Sequence, residues 1–420
     1  MNRRQRQAFK KKKYKAYINI ASTNMRGYGN PSIFHCENKW NQIPTILHNK
    51  RIGLLALQET HLTTARIDEI NKHYGRKLQV FGSPDPMNPT GRGGVAIVLN
   101  RGLVAPEKIT LYEIVPGKAI MLHLVVHKGD KFNILVVYAP NVTENDGAAN
   151  AEFWKGIDKY FEETPQTPKP NIMLGDFNMV ESGLIDCLPA CDDPEDAIDA
   201  LDDLKQNLHL KDGWRMTFPE KKSFTFLQTA TGSQSRIDRI YATDMIMDTA
   251  KEWKIRVSGI PNADHSLVSV QITSEGAPMT GRGQWRIPEY VVKDKDLLEY
   301  ARQQGITAKK ELNDLNHRSV DRNPQKIWNT YKMKLVQKAR ERARKIIPGL
   351  VRKINETQLE QDRVLDDVLL PEAERTKKAA KLQEEISKME QHRYIQMQKD
   401  RKVRHRLEGD TPTRYWSQTN

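Results

Sequence analysis

Cysteine is scarce in this chain: Cys36, Cys187 and Cys191 are the only three in 420 residues. An odd, scattered set excludes a disulfide framework and fits a reducing compartment. No Cys or His stands at zinc spacing from Cys187 or Cys191, so both read as ordinary residues. Long apolar runs are missing too. No stretch reaches the ~20 apolar residues that a membrane helix needs. The N-terminus has no apolar signal core, and no membrane partner is expected. Internal repeats and long low-complexity tracts are also absent. What remains is a chain of 38% hydrophobic residues, long enough for two or three domains.

Acid is missing from the first 15 residues, which hold eight Lys/Arg. Residues 275–420 hold 32 Lys/Arg against 22 Asp/Glu. Of the formal net charge of +14, this leaves −4 on residues 16–274. Basic ends suit a polyanion. An acidic body that must act on that polyanion suggests carboxylates gathered around a metal. Solvated helix faces and a floppy arm explain the same charge more plainly, and charge alone leaves both readings open.

From Tyr17 to about Thr273 strand, helix and loop alternate. Apolar or β-branched runs predict strands at Tyr17–Ser22, Ile52–Leu57, Gly94–Leu99, Ala119–His127, Phe132–Tyr138, Asn171–Leu174, Ser223–Phe226, Arg236–Tyr241 and Leu267–Ile272. Trp40, Ile43 and Leu47, then Phe153, Ile157, Tyr160 and Phe161, fall at helical spacing. The four residues Lys128–Lys131 are too few for a crossover and predict a hairpin, so the sheets should be mixed. After Thr273, Gly276, Pro278, Gly281 and Gly283 mark a linker into a polar helical region. There Asn323-Pro324 reads as a cap and first turn, followed by a stripe of Trp328, Tyr331 and Leu335. Pro348-Gly349 interrupts it, and Leu382, Ile386 and Met389 form the seam of a last long helix.

The polar residues at the strand ends are weak signals one at a time. Asn24 could simply be a turn residue. Glu59, directly after an apolar strand, could be a cap or a surface acid, or an oxygen ligand for a hard cation. Tyr138, before Ala139-Pro140-Asn141, could be a buried tyrosine with a satisfied hydroxyl. Gly175-Asp176-Phe177-Asn178 is far less expected by chance: a carboxylate and an amide one residue apart can orient a water and bind a phosphoryl oxygen. His265 follows Asp264, with a second acid at Asp238 that could fix its orientation and favour the imidazolium.

In their order along the chain, these segments carry more. Asn24, Gln58-Glu59-Thr60-His61, Tyr138-Ala139-Pro140-Asn141, Gly175-Asp176-Phe177-Asn178, Ser235-Arg236-Ile237-Asp238 and Asp264-His265-Ser266 together resemble the endonuclease/exonuclease/phosphatase superfamily. That superfamily includes apurinic endonucleases, deoxyribonuclease I and the endonucleases of non-LTR retrotransposons. The resemblance implies an α/β fold, a four-layer sandwich of two packed mixed sheets flanked by helices, with the site in the cleft between the sheets. It implies Mg²⁺ or Mn²⁺ held by Glu59, Asn24 and Asp264. It implies Asp176 as the group that positions or deprotonates water, and His265 supported by Asp238 as a charge-stabilising donor. Asn141 and Asn178 would hold the phosphate, and Tyr138 would bind it or assist the leaving group. Repair-type apurinic endonucleases tend to carry an acid two residues after the first Asn. Here Arg26 stands there, which speaks against abasic-site repair.

Leu210-Lys211-Asp212-Gly213-Trp214-Arg215 and Phe224-Thr225-Phe226 resemble retrotransposon endonucleases. Gly409-Asp410-Thr411-Pro412-Thr413-Arg414-Tyr415-Trp416 resembles the lead into a reverse transcriptase, so a fragment or a decayed copy is expected. The expected organisation is a basic disordered arm at 1–15, a catalytic domain at 16–273, and a basic helical linker at 274–420. The expected activity is DNA nicking that leaves a 3′-hydroxyl. DNA is the expected partner, with element RNA a second candidate. A nuclear location follows from the substrate and from Lys10–Lys13. The alternatives are a phosphatase or phosphodiesterase acting on small molecules or lipids, and a nucleic-acid-binding relic with a dead site.

Overall fold

The computed structural model describes residues 14–408 except 34, 36, 281–286, 316, 321, 347, 348 and 368. Most of the basic arm, Cys36, Gly281, Gly283, Pro348 and the Gly409–Trp416 segment therefore lie outside the described residues. The chain divides into two compact units. Lys13–Thr280 and Thr357–Asn420 form one, and Gly281–Glu356 belongs to the other. The tail expected to be a single linker is thus split, and its last part clusters with the body.

The body is built on two six-stranded sheets. The first holds β1 (Ile18–Asn24), β2 (Leu54–Gln58), β3 (Leu78–Ser83) and β4 (Val95–Asn100). The second holds β5 (Lys108–Val115), β6 (Ala119–Val125), β7 (Lys131–Tyr138), β8 (Ile172–Asp176), β9 (Lys211–Asp212) and β10 (Asp238–Ala242). β11 (Lys251–Val257) and β12 (Ser266–Ile272) complete the first sheet. The orders are β11-β12-β1-β2-β4-β3 and β9-β10-β8-β7-β6-β5. Within these sheets β1/β2 and β7/β8 pair parallel and the other neighbours antiparallel, so both sheets are mixed. The hairpin at 128–131 forms as expected, with Lys128 and Gly129 at positive φ.

Period-two alternation sorts each strand between two layers. Leu54 and Ala56 of β2, Val95, Ile97 and Leu99 of β4, and Ile134 and Val136 of β7 share the core between the sheets. Leu55 and Leu57 face the other way, onto α1 (Ile43–Asn49) and α2 (Thr64–Tyr74), against Ile43, Ile46 and Ile70. Leu135, Val137 and Met173 face α3 (Ala148–Glu163) and α4 (Glu195–Asn207), against Trp154, Ile157, Leu201 and Leu204. The result is the four-layer α/β sandwich.

Four strands had no strong sequence signal: β3, β5, β9 and β11. All four are sheet edges, where charged and half-buried residues blur the alternation. The strand expected over Ser223–Phe226 is reduced to Phe226–Leu227, in a small sheet with Gln234–Ser235 and Cys187–Leu188. In the second unit, Asn323 caps α6 (Pro324–Lys345) by accepting from the Lys326 N–H at 3.0 Å. α6 packs on α5 (Lys295–Asn313) through Leu335, Ala339 and Leu297. Trp328 does not share that stripe: it is 55% exposed, and Ile327 is buried instead. No helix among the described residues is long and apolar enough to cross a membrane.

Candidate active site

The inward-facing rows that fill the core turn polar at one end of the sandwich. In β1 the row runs Ile20, Ser22, Asn24; in β7 Ile134, Val136, Tyr138; in β8 Ile172, Leu174, Asp176. β10 runs antiparallel and begins with its polar residue, Asp238, before Ile240 and Ala242. Strand register then brings these ends together. Asn24 lies opposite Gln58. Tyr138 lies opposite Asp176, and Asp176 opposite Asp238. Glu59 follows β2 at φ +47, a left-handed turn that ends the strand. At Gly175 a Cβ would lie 1.9 Å from the Val137 carbonyl oxygen, so only glycine lets β8 approach β7 before Asp176.

One amide joins two acids. Asn24 Nδ2 donates to Glu59 Oε1 at 2.9 Å and to Asp176 Oδ2 at 3.0 Å. Its Oδ1 accepts the Arg26 N–H at 2.8 Å. The Tyr138 hydroxyl donates to Glu59 Oε1 at 3.0 Å. His265 Nδ1 meets Asp238 Oδ2 at 2.8 Å, and its Nε2 lies 3.9 Å from Asp176 Oδ2. Asp176 Oδ1 accepts the Asn178 N–H at 3.0 Å, and Asn178 Nδ2 donates to the Ala139 carbonyl at 2.8 Å. Asn141, at the exposed rim, accepts from Thr143 through Oδ1, and its NH₂ meets no acceptor among the described residues. Glu59, Tyr138, Asn141, Asn178 and Asp264 line one cleft of about 710 Å³, with Arg26, Arg92 and Lys118 also on its walls.

Burial and neighbouring charge together set the protonation states. It raises the Asp176 carboxyl to about 7, further raised by Asp238 and opposed by His265 and the hydrogen bonds. Burial alone would lower the His265 pKa. The charges of Asp238 and Asp176 and the bond to Asp238 override it and raise the imidazole to about 10. His265 is therefore a cation at neutral pH, next to a carboxylate that titrates there.

Asp176, Asp238 and His265 form a buried group whose ligand atoms lie within 4.8 Å of one another, and by position they could hold an ion. A protonated imidazole is not a ligand, however, and its Nδ1 is already spent on Asp238. The Glu59 side fits a hard cation better. Two carboxylates share a single amide donor there, and both hydrogen bonds to the Glu59 carboxylate among the described residues fall on Oε1, leaving Oε2 open. Asp264, the third expected ligand, is engaged by the Arg26 guanidinium at 3.2 Å.

Several supporting residues carried little signal in the sequence. Thr225 Oγ1 accepts the N–H groups of Ile237 and Asp238 at 3.1 and 3.0 Å, and its carbonyl accepts the Ser266 N–H at 2.6 Å. It thus ties the start of β10 to the start of β12. Lys39, buried, donates through Nζ to the carbonyls of Met25 and Arg26, both at 2.7 Å, and braces the turn after Asn24. Arg236 grips Asp186 at 2.7 and 3.0 Å and Asp212 at 2.7 Å. Burial works against the Asp186 carboxylate, but Arg239, Arg236 and Arg215 hold it down at about 2. Only the partnership shows what these residues do, and the partners are 24 or 50 positions away from Arg236.

The profile of the endonuclease/exonuclease/phosphatase family matches residues 21–261, which takes in every residue of the site except Asp264 and His265. The Transposon TX1 uncharacterized 149 kDa protein of Xenopus laevis is 27% identical over 288 residues, covering 68% of this chain and 20% of that protein. The chain thus spans about a fifth of that relative's length. Among solved structures, an AP endonuclease from Leishmania major superposes with a TM-score of 0.50 at 11% identity, over 62% of this chain and 88% of that one. The endonuclease domain of TRAS1, a telomere-specific non-LTR retrotransposon, gives a TM-score of 0.43 at 14% identity, over 61% and 99%. The first of these two likenesses shows the shared fold.

Proposed function

The chain belongs to the endonuclease/exonuclease/phosphatase family, whose members hydrolyse phosphoesters, and from that premise we propose a DNA-nicking endonuclease of a non-LTR retrotransposon that works with Mg²⁺ or Mn²⁺. The observation that carries the reading is the Asn24 amide bridging Glu59 and Asp176 beside the charged His265. A phosphodiester is anionic and repels an attacking oxygen, so catalysis needs a base for water and positive charge at the phosphoryl oxygens. In this reading Asp176 takes the proton of the attacking water on its carboxylate. The Nε2–H of His265, oriented by Asp238, donates to the phosphoryl oxygen as charge builds. Asn178 and Asn141 hold the phosphate through amide hydrogens, and the Tyr138 hydroxyl lies at the cleft to bind it or to serve the departing 3′ oxygen. A divalent cation bound on Glu59, with Asn24 and Asp264, would supply further charge to the same oxygens.

The similarity to a transposon protein supports an origin in a mobile element. The proposal therefore includes chromosomal DNA in the nucleus as the target, element RNA as a further partner, and a reverse transcriptase following this region in the intact element. End chemistry tests it. A DNA polymerase should extend the nicks made by this protein without prior phosphatase treatment. Nicks that carry a 3′-phosphate, and so need that treatment, would overturn the priming role.

A further inference from the structure

The catalytic cleft adjoins a second cavity of about 700 Å³, and Arg26, Phe226, Asp264 and His265 line both. The second cavity is also lined by Lys39 and by Glu384 and Lys388 of α7 (Glu372–Glu408), a helix that clusters with the catalytic body. Of the lysines and arginines on the two linings, Arg26 alone belongs to both. It is also the cation on the shared sill that the reaction proposed above does not use.

The chain goes to some length to place it. Arg26 sits at φ +50, a left-handed conformation that a long side chain keeps only when its surroundings hold it. Four hydrogen bonds hold this turn. The Arg26 N–H donates to Asn24 Oδ1 at 2.8 Å, and its carbonyl accepts from the buried Lys39 ammonium at 2.7 Å. The Met25 N–H donates to the Gln58 carbonyl at 3.0 Å, and the Gly27 N–H to the Glu59 carbonyl at 2.7 Å. The turn is thereby tied to the strand end that carries Glu59. The Arg26 side chain is 62% exposed, and Nη1 lies 3.2 Å from Asp264 Oδ2, its one side-chain partner among the described residues. A guanidinium has five N–H donors in a planar fork. One contact with Asp264 orients the fork and leaves the other donors to a ligand.

Charge shows which ligand. Arg26, Lys39, Lys388 and the charged His265 line the second cavity against Asp264 and Glu384. Lys39 is spent on the Met25 and Arg26 carbonyls, and Lys388 pairs with Glu384 at 3.3 Å. The balance is positive, and the unspent donors are those of Arg26. A planar fork of donors matches the oxygens of a phosphate. A strand whose scissile phosphate lies at Asp176 and His265, and which runs on from one cavity into the other, must cross the sill where Arg26 stands. On the nuclease reading above, we infer that Arg26 is a phosphate-binding residue: its guanidinium, oriented by Asp264, holds the phosphate next to the scissile one on the cut strand. That grip fixes the register of the strand against Asp176.

The test is single-turnover nicking by the full chain, at subsaturating protein, of a duplex cut at a mapped position. Companion duplexes carry a neutral methylphosphonate in place of either phosphate flanking the cut. At one of the two positions the methylphosphonate should slow the wild type about tenfold, the scale of a hydrogen bond between charged groups. Arg26→Gln should be about tenfold slower on the unmodified duplex, yet lose no more than about twofold further on that methylphosphonate. Its binding should also show a log affinity against log salt slope shallower by about 0.9. Arg26→Asn, which suits the left-handed backbone better, should behave in the same way. Arg26→Lys should fall between Arg26→Gln and the wild type, because it keeps the charge and loses the fork. Equal slowing of wild type and Arg26→Gln at both positions, or no slowing of the wild type at either, would overturn the phosphate contact and leave the nuclease intact. No nicking of any duplex by the wild-type chain would overturn both.

Discussion

In the proposed reaction Asp176 and His265 divide the chemistry between an acid that burial holds near neutrality and a base that two acids keep charged. The pH dependence follows with its sign. Asp176 acts as a base only when ionised, so activity should fall as pH drops through about 7. His265 donates only when protonated, so activity should fall again as pH rises through about 10. A rate profile with both limbs checks this, and a bound cation would move the acid limb lower. Asp176→Asn keeps the shape and loses the base, and His265→Ala loses the donor. Each should slow cleavage by at least ~100-fold in single-turnover kinetics. Near wild-type rates for both would place the catalytic centre elsewhere. Thr225→Val should cost about 1–3 kcal/mol, read from the denaturant midpoint, because two buried N–H groups lose their acceptor. It should also loosen the Asp238–His265 pair and lower the His265 pKa measured by NMR. A Thr225→Val protein with an unshifted histidine would mean that the hydroxyl only serves the fold. The nine residues named as site candidates stand at or within three residues of a strand end, and that position is what the sequence shows of them. Thr225, named only within the Phe224-Thr225-Phe226 resemblance, and Lys39 had no role there, since their work is done on backbone atoms of other segments.

The strands that build the site are central in their sheets, and central strands are the ones a sequence announces. β1, β2, β7, β8 and β10 read as apolar runs because both faces of their sheets are covered. The edges β3, β5, β9 and β11 did not. The placement of α7 was equally hidden. Its Leu382, Ile386 and Met389 seam marks a helix, but the sequence does not reveal what the seam covers. Tyr394 packs on Gly259 and stands 5.4 Å from the Lys50 ammonium. Tyr394→Ala should therefore cost about 3 kcal/mol, the scale for removing a buried aromatic side chain. Gly259→Ala, at φ +85 and against that ring, should destabilise as well. Urea titration of the two variants decides this. Midpoints within error of wild type would show that α7 does not rest on the body.

At the scale of the whole molecule, the uneven charge that first suggested a polyanion is partly spent inside the chain. Of the basic residues crowded on α6, Lys338 and Lys345 pair with Glu341, Arg342 pairs with Asp294 and Asp296, and Lys334 donates to Gln304. A chain of residues 13–280 keeps every proposed catalytic residue and loses α7 and the basic unit. It should still nick, melt at a lower temperature, and bind DNA with a shallower dependence of log affinity on log salt. Equal slopes for the two chains would show that the basic tail neutralises no phosphate. The central claim is metal-assisted hydrolysis of DNA at Glu59, and nicking of supercoiled plasmid tests it most directly. Open circles should form with Mg²⁺ or Mn²⁺, disappear in excess chelator, and fail to form with a folded Glu59→Ala protein. Undiminished nicking in chelator, or by Glu59→Ala, would contradict it.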